Sequence, residues 1–357
     1  MDFNIVRNIE FKESFRNKSI IGKFDLNIQN YKEHFQGKID LENKEWNIGL
    51  IVGNSGTGKT TIAKQLFGEN IIKEYPFHRE NSVMDDMPKG KSVEEITQIF
   101  NKVGFSSPPS WLKPYEVLSN GEKMRVELAY NLLNDNELTC FDEFTSVVDR
   151  NIAKITSICI QKTIRKLDKK FIAVGCHFDI IDWLEPDWIF DTNLMQFFFY
   201  SKSERPKRPE IEFKIYKTND EQWKTFRKYH YLSHDNRKGS ICFIGYIEDN
   251  PVAFLSVIHF PHPTHKNLKK VHRLVVLPDY QGIGLGGILL DYIGKYFTLK
   301  GFKFGITTSQ PSLNFSLKKK KNWNLIRIGR MNNSNGLKSL NKTASHNRIT
   351  TSWFYQK

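Results

Sequence analysis

Only four cysteines, Cys140, Cys159, Cys176 and Cys242, occur in 357 residues, far apart and with no CxxC pair. That spacing excludes a disulfide scaffold, a zinc knuckle and a dithiol redox motif, and leaves all four as expected buried apolar fillers. No apolar run approaches the roughly 18 residues of a membrane-spanning helix. The opening stretch MDFNIVRNIEFKESFR mixes acids and bases where a signal peptide needs an apolar core, so a soluble cytoplasmic chain without membrane contact is expected. Internal repeats, a collagen-like period and coiled-coil heptads are missing as well. With 39% hydrophobic and 13% aromatic residues, intrinsic disorder is excluded. One scarcity is local: residues 201–357 hold 10 Asp+Glu against 28 Lys+Arg, whereas residues 1–200 hold 29 against 25. The net charge of +14 therefore divides into −4 and +18.

The charge step falls at SKSERPKRPE (201–210), a polar, proline-containing segment that reads as a linker between domains 1–203 and 204–357. In the first, β-rich runs alternate with helical periodicity. FDLNI (24–28), IGLIV (48–52), ELTCFDEF (137–144) and KFIAVGC (170–176) read as strands, TIAKQLF (61–67) and NIAKITSICIQKTIRKL (151–167) as helices. That rhythm predicts an α/β fold with a parallel sheet. In the second, a helix over 220–231 precedes the hairpin SICFIGYIE–PVAFLSVIHF, the strand HRLVVL (272–277), a helix from 285, and strands FKFGITTS (302–309) and RITTSWFY (348–355) around a basic helix and the loop 331–347. That order predicts an α+β fold on a mostly antiparallel sheet.

Gly53-Asn54-Ser55-Gly56-Thr57-Gly58-Lys59-Thr60 satisfies G-x-x-x-x-G-K-[ST] between a buried strand and a helix. Its backbone N–H groups are expected to cradle phosphates, with Lys59 on the terminal phosphates, the Thr60 hydroxyl on Mg²⁺, and Thr61 beside it at the helix start. Downstream come LSNGE (118–122) opening a helix, the pair Asp142-Glu143 at a strand end, Asp149, and His177 closing FIAVGCH.

In order and spacing this set resembles the ATP-binding cassette (ABC) ATPases. The resemblance implies that Asp142 binds Mg²⁺, Glu143 polarises the attacking water and His177 contacts the γ-phosphate of ATP. It further implies that Ser119, Asn120, Gly121 and Asp149 complete the site of a second subunit, giving a homodimer through the ABC domain. The departures are LSNGE for LSGGQ, Phe144 where proline is usual, and no glutamine loop in a short 60-residue interval from Lys59 to Ser119. Such trimming argues against a transporter.

Residues 272–290, HRLVVLPDYQGIGLGGILL, resemble the acetyl-CoA segment of the GNAT acyltransferases. The resemblance places Gln281, Gly282, Ile283, Gly284, Leu285 and Gly286 around the pyrophosphate of acetyl-CoA or another acyl-CoA, and a backbone N–H near Val276 at the thioester carbonyl. Lys318 occupies the place of the family's usual tyrosine acid. Seven of ten histidines, His230, His234, His259, His262, His265, His272 and His346, lie in this half. A histidine base suits amine acylation, and KYHYLSH (228–234) and IHFPHPTH (258–265) single out His230 and His259. A metal on His259, His262 and His265 would lack a carboxylate or cysteine partner.

The +18 charge, interleaved with aromatics, implies a nucleic-acid partner for residues 205–357, with Lys266 to Lys270, Lys318 to Lys321, Arg327 and Arg330 on phosphates. YHYLS (229–233) resembles a motif of Mom-type phage GNAT proteins that modify adenine, and RNA cytidine acetyltransferases likewise join an ATPase to a GNAT domain. The reading is an ATPase fused to an acyltransferase acting on a nucleobase in DNA or RNA. Two alternatives stand beside it: an ATP-gated N-acetyltransferase for a protein or small molecule, and a non-catalytic nucleotide switch or defence module whose GNAT fold only binds.

Overall fold

A computed structural model describes residues 1–8, 12, 14–26, 32–72, 75–134, 136–230, 235–329 and 349–356. The chain runs β1 (Asp2–Asn8), α1 (Phe15–Phe24), β2 (Lys32–Lys38), β3 (Ile48–Val52), α2 (Lys59–Phe67), α3 (Val93–Lys102), α4 (Pro108–Trp111), α5 (Asn120–Leu133), β4 (Leu138–Phe141), α6 (Arg150–Leu167), β5 (Lys170–Gly175), α7 (Ile180–Leu184), β6 (Trp188–Asp191) and β7 (Gln196–Phe199). It continues through β8 (Phe213–Thr218), α8 (Trp223–Phe226), β9 (Ile241–Ile247), β10 (Asn250–His259), β11 (Leu268–Val276), α9 (Leu285–Leu299), β12 (Lys303–Thr308), α10 (Pro311–Lys318), β13 (Trp323–Gly329) and β14 (Thr350–Tyr355).

By packing, these elements form two compact units that interleave in sequence. One comprises Met1–Glu74, Asp135–Val147 and Ile164–Arg208; the other comprises Tyr75–Asn134, Val148–Thr163 and Pro209–Lys357. Helices α3 to α5 and most of α6 thus pack with the second half of the chain.

The first unit is built on a five-stranded sheet of order β4-β5-β3-β6-β7, parallel except for the β6–β7 pair. Every residue of β3 is buried, as a central parallel strand covered on both faces requires. Buried Asp187 fixes the β3 and β6 starts, accepting the N–H groups of Asn47 and Ile48 at 2.8 and 2.9 Å and pairing with Arg165 and Arg205. β1 and β2, which flank α1 in sequence, form a separate two-stranded antiparallel sheet. The strand expected at FDLNI is not formed over Phe24–Leu26. Phe24 ends α1, and Asp25 caps it in the left-handed region at φ 49°, its N–H donating to Ile21 O. Residues 27 and 28 lie outside the described residues.

The second unit carries a seven-stranded sheet of order β13-β14-β12-β11-β10-β9-β8, antiparallel except for β11–β12. Alternation on its central strands feeds two cores. Phe243, Leu255 and Val257 face Leu289, Ile293 and Phe297 of α9, while Cys242, Ile244 and Phe254 face Trp223 and Phe226. The helix expected over 220–231 shrinks to the four residues of α8 between 3₁₀ turns, enough to bury Trp223 and Phe226. Residues 330–348, which include the expected Asn- and Ser-rich loop, lie outside the described residues.

Candidate functional site

The first unit holds a cavity of about 340 Å³ at the end of β3. The loop after Val52 enters α2 through Gly58, whose φ of 83° suits a residue without Cβ; a Cβ there would also sit 2.5 Å from the Phe35 ring. Gly53 is buried behind the loop, and a Cβ on it would meet Thr192 Oγ1 at 2.1 Å. Asn54 N–H donates to Asn193 Oδ1 at 3.0 Å, Thr57 Oγ1 donates to Asn54 O at 2.8 Å, and Lys59 Nζ donates to the same carbonyl at 2.6 Å. Ser55, Gly56, Gly58, Lys59, Thr60 and Thr61 line the cavity together with Asp142 and Glu143. Thr60 Oγ1 donates to Asp142 Oδ1 at 3.2 Å, so two hard oxygens meet where the helix starts. That donor pair fits Mg²⁺, which takes one or two protein oxygens and completes its shell with water and phosphate.

Arg7, Glu33 and Phe35 of the β1–β2 sheet also wall the cavity. No sequence pattern marked them, because pairing alone carries them there. Cys176 lines the cavity half-buried, contrary to the expectation of four buried fillers. Cys140 and Cys159 are buried as expected, and burial pushes their thiols up to about 12 and about 11. His177, next in sequence, is half-buried and is not among the residues lining the cavity. Phe144 has a use that proline could not serve. Its N–H donates to Val174 O at 2.8 Å, and its ring packs edge-on against Phe141 and Phe171.

Ser119, Asn120, Gly121 and Asp149 belong to the second unit. Ser119 is the N-cap of α5 in a capping box: its hydroxyl accepts the Glu122 N–H, and the Glu122 carboxylate accepts the Ser119 N–H at 3.1 Å. The glutamate of LSNGE thus closes this cap. Gly121 faces Ile152, and Asp149 Oδ1 accepts the N–H groups of Asn151 and Ile152 at 2.9 and 3.0 Å at the start of α6.

The second unit also holds a cavity of about 380 Å³. β11 and β12 pair only from Leu268↔Lys303 to Lys270↔Gly305, after which the strands part, and Val271, His272, Leu274 to Val276 and Ile306 to Thr308 line the opening. Leu277 N–H donates to Val252 O at 2.9 Å; since successive strand N–H groups alternate sides, that of Val276 turns toward the opening. Beyond it, the N–H groups of residues 282–286 find no acceptor among the described residues. Gly284 caps α9 at φ 93°, the same entry that Gly58 gives α2. An amide concavity on a helix N-terminus fits a pyrophosphate. Gln281 does otherwise: its Nε2 donates to Val276 O at 2.9 Å and its Oε1 accepts the Ser106 N–H at 3.0 Å.

His230, 8% exposed, lines this cavity, whereas His259 ends β10 exposed and does not. Lys318 is exposed on the last turn of α10, away from the lining. His262 and His265 stack at 4.9 Å, and among the described residues no group of three or more His, Cys, Asp or Glu is arranged to hold a metal. His234, His346 and Arg330 lie outside the described residues. His272 is the histidine that the motif reading passed over. It is the extra residue of a β-bulge, since Ser256 pairs with Arg273 and Val257 with Val271, and it lines the cavity. Asn236 Oδ1 accepts the Ser256 hydroxyl at 2.8 Å and lies 3.1 Å from His272 Nδ1. That oxygen therefore fixes the proton on Nδ1 and leaves the Nε2 lone pair free for a partner. Burial, with Arg273 and Arg237 nearby, lowers the His272 pKa to about 4.

Residues 200–316 match the family model of the acetyltransferase (GNAT) family. Among curated proteins, the chain is similar to the ATP-binding protein Uup of Haemophilus influenzae, 33% identical over 123 residues, covering 28% of this chain and 19% of that protein. It is also similar to the lipoprotein-releasing system ATP-binding protein LolD of Buchnera aphidicola, 27% identical over 179 residues, covering 39% and 77%. Among solved structures, cbiO1 of Clostridium perfringens, part of an ABC transporter complex, is 19% identical over 45% of this chain and 80% of that one, with a TM-score of 0.37. The chain spans about a fifth of the length of Uup. It joins an α/β part with ABC ATPase homology to a GNAT domain. No helix among the described residues is long and apolar enough to cross a membrane.

Proposed function

We propose that the chain is an ATP-hydrolysing, Mg²⁺-dependent N-acyltransferase that uses acetyl-CoA or another acyl-CoA to acylate an amine of a nucleobase in DNA or RNA. The observation that carries this reading is the parting of β11 from β12 beside five amides that find no acceptor among the described residues, with His272 in the opening. When bound, the acyl-CoA supplies a thioester carbon open to attack. The Val276 N–H faces the carbonyl oxygen as it gains charge, and His272 Nε2 takes the proton that the acceptor amine loses as the C–N bond forms. The C–S bond breaks and the thiolate leaves, to be protonated; the Tyr229 phenol lines the same cavity and is the candidate donor.

In the first unit, Lys59 and the loop amides hold the nucleotide phosphates, Thr60 and Asp142 hold Mg²⁺, and Glu143 orients water. Ser119, Asn120, Gly121 and Asp149 serve the nucleotide of a partner copy in a homodimer, with His177 at the γ-phosphate. The nucleic-acid acceptor is supported by the +18 charge of residues 201–357. The Mom-type resemblance rests on 229–233, of which 231–233 fall outside the described residues. Residues 1–203 form the ATPase domain and residues 204–357 the acyltransferase domain, and the packing units cross that division.

Calorimetric titration of the full chain with acetyl-CoA tests the acyl-CoA site. Saturable binding, lost in Gly284→Val, is expected; no heat at any concentration removes the acyltransferase reading.

A further inference from the structure

Arg125 lies six residues after Ser119 on α5 and is 1% exposed. Its Nη1 donates to Pro278 O at 2.9 Å, its Nη2 to Asp279 O at 3.2 Å and its Nε to Thr156 Oγ1 at 3.3 Å. The two carbonyls stand immediately before the amide loop 281–286. A buried guanidinium that meets carbonyl and hydroxyl oxygens rather than a carboxylate is costly, and an apolar side chain of like volume would fill the space more cheaply.

Further bonds run the same way inside this compact unit. Ser106 N–H donates to Gln281 Oε1 at 3.0 Å, and Gln310 Nε2 donates to Ser106 O at 2.9 Å, so the turn after α3 is held from both sides of the parted strands. Gly104 and Gly282 meet backbone to backbone: a Cβ on Gly282 would lie 2.8 Å from Gly104 Cα and 2.5 Å from Cys159 Sγ. Ser106, Ser107 and Pro108 line the acyl cavity itself. Residues 104–106 thus contact residues 281 and 282 of the amide loop through both backbone and side chain.

We infer that Arg125 is a positioning residue that ties the helix carrying Ser119 to the acyl-CoA phosphate loop, so that nucleotide and acyl-CoA binding are energetically coupled. This rests on the two binding sites proposed above. Ser119 to Gly121 and residues 281–286 belong to one compact unit, while Lys59, Asp142 and Glu143 belong to the other. Whatever engages Ser119 acts on the cradle through Arg125, and the coupling is reciprocal by linkage.

The test titrates CoA into the full chain with and without a saturating non-hydrolysable ATP analogue plus Mg²⁺, and then the analogue with and without CoA. The expected result is a change in CoA Kd of about five-fold or more, with the same factor on the analogue's Kd. Arg125→Lys keeps the charge but cannot fork to both carbonyls; it is expected to bind each ligand alone while the factor falls toward one. Should that variant misfold, Gln310→Leu, which removes the donor to Ser106 O, is expected to lower the factor as well. A factor of one in the unaltered chain, or an unchanged factor in a folded variant, overturns the inference while leaving the acyl-CoA site standing. Absence of CoA binding in every condition overturns the acyl-CoA reading and the coupling together.

Discussion

Asn236 Oδ1 lies 3.1 Å from His272 Nδ1 and fixes which nitrogen of that ring carries the proton. Asn236 also accepts the Ser256 hydroxyl, so its oxygen serves two donors and leaves Nε2 as the acceptor nitrogen of an imidazole that lines the cavity of the second unit. His272→Ala should lower the acyl-transfer rate by about 10²-fold or more with little change in acyl-CoA affinity. Asn236→Leu, which frees the tautomer, should lower the rate by a smaller factor. Steady-state kinetics beside CoA titrations check both.

The same residue sets an acid limit. The folded His272 pKa of about 4 lies below the ordinary 6.5 because burial and the facing Arg273 and Arg237 disfavour its cation. Its contribution to stability is therefore full above about 6.5 and is lost as pH falls toward 4, where the unfolded chain binds the proton more readily. Denaturation midpoints across that window should fall more steeply for the unaltered chain than for His272→Gln.

Ser119 can be separated into a cap and a nucleotide contact. Ser119→Ala removes the cap and should cost about 1 kcal/mol of stability. Ser119→Asp keeps the cap but sets a carboxylate toward the partner's phosphates, so stability should hold while ATP-dependent dimerisation of Glu143→Gln is lost. Light scattering with and without ATP distinguishes the two.

Phe144 stands where the ABC resemblance has proline, yet Phe144→Pro should destabilise the first unit. It removes the N–H bond to Val174 O and the ring between Phe141 and Phe171, together about 3 kcal/mol or more. Urea denaturation reads this directly.

Binding of a single-stranded oligonucleotide by the full chain should weaken steeply with salt, and the slope should shrink by about one for each phosphate-contacting lysine removed. Lys266 and Lys319 are exposed and suited to the test. Lys270 is not, since it is half-buried over the Phe260 ring at 4.4 Å.

What the sequence made legible was local. The P-loop, the Asp142-Glu143 strand end and the glycine loop at 281–286 each sit within a few residues of the elements that shape them, so spacing sufficed. Phe35 and Arg7 reach the cavity of the first unit through the pairing of β1 with β2, and His272 reaches the cavity of the second unit through a one-residue bulge; neither leaves a periodic trace. Phe24 read as strand because alternation over five residues outweighed the Ser14 cap, whose hydroxyl accepts the Asn17 N–H and starts α1. The contact of α5 with residues 278 and 279 depends on a buried arginine inside a helix, which hydrophobic pattern reads as surface.

The central claim is acyl transfer to a nucleobase, and mass spectrometry of nucleosides digested from DNA and RNA incubated with the purified chain, ATP, Mg²⁺ and acetyl-CoA tests it most directly. An acylated nucleoside that forms with the unaltered chain and disappears in His272→Ala and in Lys59→Ala is the expected result. No acylated nucleoside from either nucleic acid, under conditions where ATP is hydrolysed and CoA is bound, would contradict it.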